Sequence, residues 1–121
     1  RKVNESKIEW SIEKIKIFVS EFRNKYNREP IIGCLGITFK PNVDDLRNSP
    51  GLKIVEILNK ENYKTIVCEP NIKSLSKIKL ESLSHTLEHS DLIIFLVAHN
   101  NFRNINLRNK NYLDFCGVTN N

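Results

Sequence analysis

Four short apolar runs rich in β-branched residues punctuate this chain: "IIGCLGI" from Ile31, "KTIVCEP" from Lys64, "DLIIFLVAH" from Asp91 and "YLDFCGV" from Tyr112. Runs that are apolar at successive positions, rather than alternately, read as strands buried on both faces, and turn formers bound each of them. Between the first two, Ser49 and Pro50 form an N-cap and first-turn pair ahead of Leu52, Ile54, Val55, Ile57 and Leu58, the pattern of a helix packed on a sheet. "NIKSLSKIKLESLSHTLEHS" reads as a polar, weakly helical connection, and "HNNFRNINLRNKN" leaves room for a short helix. Strand alternating with helix requires a parallel sheet with helices on both faces. Right-handed crossovers then gather the loops after the strands along one edge, and "DLIIFLVAH", the most apolar run, takes a central place.

A long helix precedes this unit. From Val3 to Tyr26, the residues Ile8, Ile12, Ile15, Val19, Phe22 and Tyr26 recur at spacings of four and three, which is one helix face. Trp10, Ile17 and Phe18 fall off the stripe and predict a second buried face, covered by a partner or by a deep position in one core. "NKYNREP" ends the helix before Pro30. The division expected is a helix over 1–28 and an α/β domain over 29–121. The chain opens without methionine and in mid-pattern, so a longer polypeptide is expected.

Composition narrows the class. With 40% hydrophobic and 27% charged residues the chain has the makeup of a folded globular protein. No apolar run approaches the roughly 20 residues that span a bilayer, and "RKVNESKIEW" lacks a signal-peptide core, so a cytoplasmic protein without membrane contact is expected. The net charge of +5 favours anionic partners, but the basic residues are scattered and no basic-aromatic groove points to nucleic acid. Cys34, Cys68 and Cys116 lie far apart in strand-like runs and read as buried free thiols. His85 and His89 share a helix face without further ligands nearby, which makes them surface histidines and leaves no metal site.

The loop "GITFKPNVDDLRNSP", from Gly36 to Pro50, places unusual charge at the functional edge of the sheet. Lys40 offers a mobile ammonium suited to a diphosphate, Arg47 a planar fork, and the helix opened by Ser49-Pro50 a positive dipole end. Phe39 could pack on a base or ribose. Asp44 and Asp45 would orient the cations or hold the loop, because a bare carboxylate facing phosphate is repelled. Charge pattern alone leaves a second reading open: Asp45 pairs with Arg47, Asp44 caps a turn and Lys40 is merely solvated. A dinucleotide fingerprint is absent. Gly33 and Gly36 give only G-x-x-G, and Glu69 lies beyond the roughly 20-residue spacing of a ribose ligand, so Glu69 reads as a strand-end turn residue.

The same loop resembles the G-[LF]-[AT]-F-K-x-x-x-D-D-x-R-x-S-P signature in the C-terminal domain of the UDP-glucose/GDP-mannose dehydrogenase family. "VCEPNI", "SDLIIFLVAHNNFRNIN" and "RKVNESK" look most like its UDP-N-acetyl-D-mannosamine dehydrogenase branch. The resemblance implies a Rossmann-like UDP-sugar-binding domain, preceded by the dimer-building helix and by an NAD-binding domain upstream of this chain. It implies an enzyme that oxidises a C6 alcohol twice, through an aldehyde and a cysteine thioester, with NAD as cofactor, to make polysaccharide precursors. Phe39 and Lys40 are then expected on the UDP-sugar, with Lys40 at the diphosphate, Arg47 on NAD, and Arg1 on the substrate of a partner subunit in a homodimer. The family's nucleophilic cysteine and helper lysine have no counterpart here, so no catalytic residue is expected in this chain and it is expected to be inactive alone. A basic residue usually stands at the position of Cys116 and an aromatic at that of Thr119, so a second substrate cation is expected to be lost. The alternative is a remnant without catalysis that serves as a dimerisation or interaction module.

Overall fold

The computed structural model describes residues 5–119. In chain order they form α1 (Glu5–Tyr26), β1 (Ile31–Leu35), α2 (Pro50–Lys60), β2 (Lys64–Cys68), α3 (Leu83–His89), β3 (Leu92–Phe95), a 3₁₀ turn (Asn100–Phe102) and β4 (Asn111–Asp114). The four strands make one parallel sheet in the order β2-β1-β3-β4. Gly33 of β1 stands opposite Ile66 of β2 and Ile93 of β3. The expected α/β sheet with a long leading helix is therefore the fold, with β3 internal.

Alternate strand residues build two cores, as a sheet covered on both faces requires. Ile32, Cys34, Val67, Leu92 and Ile94 face α1 and α2, where Ile8, Ile12, Ile15, Val19, Ile54, Val55 and Leu58 meet them. Leu35, Ile93 and Phe95 face the other way, toward Phe102 and Val118 with Leu83 and Leu87 of α3 packed alongside. Each fully buried aliphatic side chain here stabilises the fold by roughly 1.5–3 kcal/mol. Gly33 sets the approach of α3: a Cβ on it would stand 2.4 Å from Ser90 Oγ and 2.9 Å from Thr86 Cγ2.

The ends of the helices follow local rules. Ser49 caps α2, its hydroxyl accepting from the Leu52 amide, and Pro50 fills the first helical position. At the other end Asn62 takes a left-handed φ of 67°, while the amides of Asn62 and Tyr63 donate to the carbonyls of Asn59 and Leu58. This is the Schellman arrangement, with Asn in the place glycine usually holds. α1 stops one residue before Asn27, whose φ is 58°.

Three sequence expectations change. Tyr26, at the end of the α1 stripe, is 52% exposed, and Trp10 and Ile17 are 53% and 48% exposed, so α1 buries one face among the described residues rather than lying deep in a core. The polar connection after β2 is mostly irregular, with a single bridge from Val67 to Leu80 and helix only at α3, because its polar and β-branched residues offer no continuous apolar stripe. Cys116 lies beyond β4 and is half-buried, whereas Cys34 and Cys68 are buried strand residues.

Candidate functional site

The ladder bonds run on past the strand ends and splay the loops apart. The Gly36 amide donates to Cys68, that of Leu96 to Leu35 and that of Phe115 to Phe95. The chain after β1 turns at Gly36, whose φ of 96° favours glycine, and a Cβ there would come within 2.7 Å of Val97 Cβ. From this turn the charged loop returns to the start of α2.

Two buried side chains hold that loop from beneath. Glu69, at the end of β2, is 2% exposed; its Oε1 accepts from the Ile37 amide at 2.7 Å and its Oε2 from the Asn71 amide at 2.9 Å. His99, beyond β3, is fully buried, with Nε2 3.0 Å from Glu69 Oε1 and 3.2 Å from Thr38 Oγ1. The Asn42 amide donates to His99 Nδ1 at 2.8 Å, and Asn71 Nδ2 lies 3.2 Å from the same atom. A backbone N–H can only donate, so Nδ1 carries no proton and Nε2–H points at the carboxylate. Thr38, free to accept from Nε2–H, donates its own proton to the Lys40 carbonyl at 3.0 Å. Burial works against the charge on Glu69, but hydrogen bonds from His99, Ile37 and Asn71 outweigh it and hold its carboxyl below the ordinary range.

The other side of the loop is tied to its own residues. The Phe39 amide donates to the Asp45 carbonyl at 2.6 Å, and Ser49 Oγ donates to the Thr38 carbonyl at 3.1 Å. Phe39 and Lys40 are left at the surface, lining a cavity of about 290 Å³ with Thr38 and Pro41. Pro50 and Gly51 at the N-terminus of α2 close one part of it, Leu96, Val97 and Ala98 after β3 another, and Phe115, Cys116 and Lys7 of α1 the rest. Two lysines, a helix N-terminus and apolar walls meet there, a composition suited to an anionic ligand with a flat apolar part.

The predicted site residues divide accordingly. Phe39 and Lys40 share the cavity, whereas Arg47 is absent from its lining. Arg47 is held by Asp45 through two bonds of 3.0 Å each, and its side chain is 87% exposed. Both readings of the loop thus contribute: the ion pair forms, and Lys40 faces the cavity. Arg1 lies outside the described residues. Sequence reasoning assigned no role to His99 and took Glu69 for a turn residue; the signal available was that Glu69 directly follows one strand of a parallel sheet and His99 ends the apolar run that holds another. No group of His, Cys, Asp or Glu among the described residues could hold a metal. Burial pushes Cys34 and Cys116 up to about 12 and Cys68 to about 11, so all three are protonated at neutral pH.

Residues 33–121 match the model of the UDP-glucose/GDP-mannose dehydrogenase family, UDP binding domain. The chain belongs to that family. It is 40% identical over 124 residues to the UDP-N-acetyl-D-mannosamine dehydrogenase of Campylobacter jejuni, a match covering 96% of this chain and 29% of the relative. Its likeness to the enzyme of the same name from Escherichia coli (strain K12) is 37% over 115 residues, covering 88% of this chain and 27% of the other. The chain therefore spans less than a third of the length of these relatives. In fold, it is similar to the native UDP-N-acetyl-mannosamine dehydrogenase of Staphylococcus aureus, with a TM-score of 0.77, 23% identity, and coverage of 98% of this chain and 29% of that one.

Proposed function

We propose that this chain is the UDP-sugar-binding part of an NAD-dependent UDP-N-acetylmannosamine 6-dehydrogenase of polysaccharide precursor synthesis. The observation that carries the reading is the placement of Phe39 and Lys40 together on the cavity at the N-terminus of α2. The Lys40 ammonium neutralises the diphosphate, the start of α2 adds a positive dipole end, and the Phe39 ring packs on the uridine. Lys7 lines the same cavity and supplies a cation where the Cys116 thiol supplies none.

NAD bound in the whole enzyme would supply the hydride acceptor for oxidation of the C6 alcohol. This chain has no G-x-G-x-x-G turn, so the dinucleotide rests on another part of the protein, and Arg47 reaches it from outside the cavity. Its outward, Asp45-braced guanidinium suits such a role. Without a counterpart of the family's nucleophilic cysteine and helper lysine, the chain alone is inactive in C6 oxidation. The functional units are 1–28, whose helix α1 exposes Trp10 and Ile17 to pair two chains, and 29–121, the UDP-sugar domain.

Isothermal titration decides the reading. UDP and UDP-N-acetylmannosamine are expected to bind the 121-residue chain, and Lys40→Ala to weaken both by roughly tenfold, the loss of one charge-assisted contact. Absence of binding at millimolar UDP overturns the assignment. Sedimentation tests the helix: a dimer is expected, and a monomer at high concentration removes the pairing.

A further inference from the structure

The loop that carries Phe39 and Lys40 does not depend on those residues for its shape. Two side chains from beyond β2 and β3 hold its backbone at Ile37 and Asn42 and reach the Thr38 hydroxyl between them. The Ile37 amide is bound by Glu69, the Thr38 hydroxyl lies between His99 Nε2 and the Lys40 carbonyl, and the Asn42 amide is bound by His99 Nδ1. Asn42 itself holds φ at 62° and accepts the Asn100 amide on its side-chain oxygen at 3.0 Å, which joins the loop to the turn after His99. Lys40 is thus bracketed on both sides by bonds that converge on one imidazole. Neither His99 nor Glu69 lines the cavity, so they cannot act by touching a ligand there.

We propose that His99, as the neutral Nε2–H tautomer braced by Glu69, is a positioning residue that sets the Lys40 ammonium for the diphosphate of the nucleotide. The proposal rests on the UDP-binding reading above. The chemistry is directional: the imidazole must accept at Nδ1 and donate at Nε2 simultaneously, on two sides of one rigid ring. Glu69 fixes the tautomer because its carboxylate can only accept.

Two substitutions separate the two nitrogens. His99→Gln keeps a donor near Glu69 but removes the acceptor for the Asn42 amide, and His99→Asn keeps that acceptor but withdraws the donor. In the 15N-labelled chain, His99 is expected to show a protonated Nε2 and a bare Nδ1. His99→Gln is expected to speed hydrogen exchange at the Asn42 amide and to weaken UDP binding by roughly five- to tenfold, the effect of one lost buried hydrogen bond. His99→Asn should keep Asn42 slower to exchange than His99→Gln does. In a Lys40→Ala background, His99→Gln should weaken UDP no further, because its effect passes through Lys40. An imidazole protonated at Nδ1 overturns the proposal without any variant. So does a folded His99→Gln chain with unchanged Asn42 exchange, or an equal loss of UDP affinity with and without Lys40. If the unaltered chain fails to bind UDP, the UDP-binding reading falls, and the role proposed for His99 falls with it. Asn42 exchange then reports only whether the clamp itself exists.

Discussion

Glu69 Oε1 receives two donors at once, the Ile37 amide at 2.7 Å and His99 Nε2 at 3.0 Å, in a place where both side chains are shut off from solvent. A buried carboxylate is costly unless its lone pairs are occupied, and these are. The pair therefore joins the ends of β2 and β3 to the loop after β1, which is where the cavity lies.

Glu69→Ala should cost about 3–5 kcal/mol of unfolding free energy, because it strands the Ile37 and Asn71 amides and the His99 Nε2–H in a dry interior. Glu69→Gln keeps one accepting oxygen and should cost less. Urea denaturation of both variants measures the difference, and a loss below about 1 kcal/mol for the alanine variant contradicts the buried clamp.

Gly36→Ala meets both a left-handed φ and the Val97 Cβ at 2.7 Å. A destabilisation of about 1–3 kcal/mol is expected, together with weaker nucleotide binding, since the loop begins at this turn. Thermal melting with a parallel UDP titration tests it; an unchanged melting temperature refutes the strain.

Arg47 and Lys40 should behave oppositely. Arg47 is exposed and, among the described residues, is paired with Asp45 two positions away, so Arg47→Ala should leave stability within about 0.5 kcal/mol. UDP affinity of this chain should be equally indifferent to it, in contrast to Lys40→Ala. A loss of UDP binding on removing Arg47 would place it in the cavity after all.

Acid should open the end of β4. Burial alone would raise Asp114, yet the Thr119 hydroxyl and the amides of Thr119, Cys116 and Gly117 hold its carboxyl at about 2. A depressed folded pKa stabilises the protein above the unfolded carboxylate value of about 4, and this contribution is lost as pH falls from there toward 2. Glu69, also depressed, acts in the same direction. Asp114→Asn should flatten the fall of stability across that window in a pH series of denaturation curves; an unaltered slope would exclude Asp114 as a contributor.

The sequence made the sheet legible because its evidence is local. β-Branched runs at crossover distance, a Ser-Pro cap before an apolar stripe and a three-four repeat in α1 each fix their element from within a few residues. Phe39 and Lys40 were visible for the same reason, standing in the charged loop after β1. At Trp10 and Ile17 periodicity told which residues share the second face of α1, and the structure shows that the described residues of this chain leave that face exposed.

The sequence by itself determined the parallel α/β order, the loop that carries the charge after β1, and Phe39 and Lys40 as residues of that loop, which line the cavity. Only the tertiary structure decided that Glu69 and His99, thirty residues apart, meet in the interior and hold that cation's loop, while Arg47 turns away. The reason is physical: Glu69 and His99 meet only because β1 lies between and beside β2 and β3 in the sheet, a neighbour relation that the residues around neither side chain specify alone.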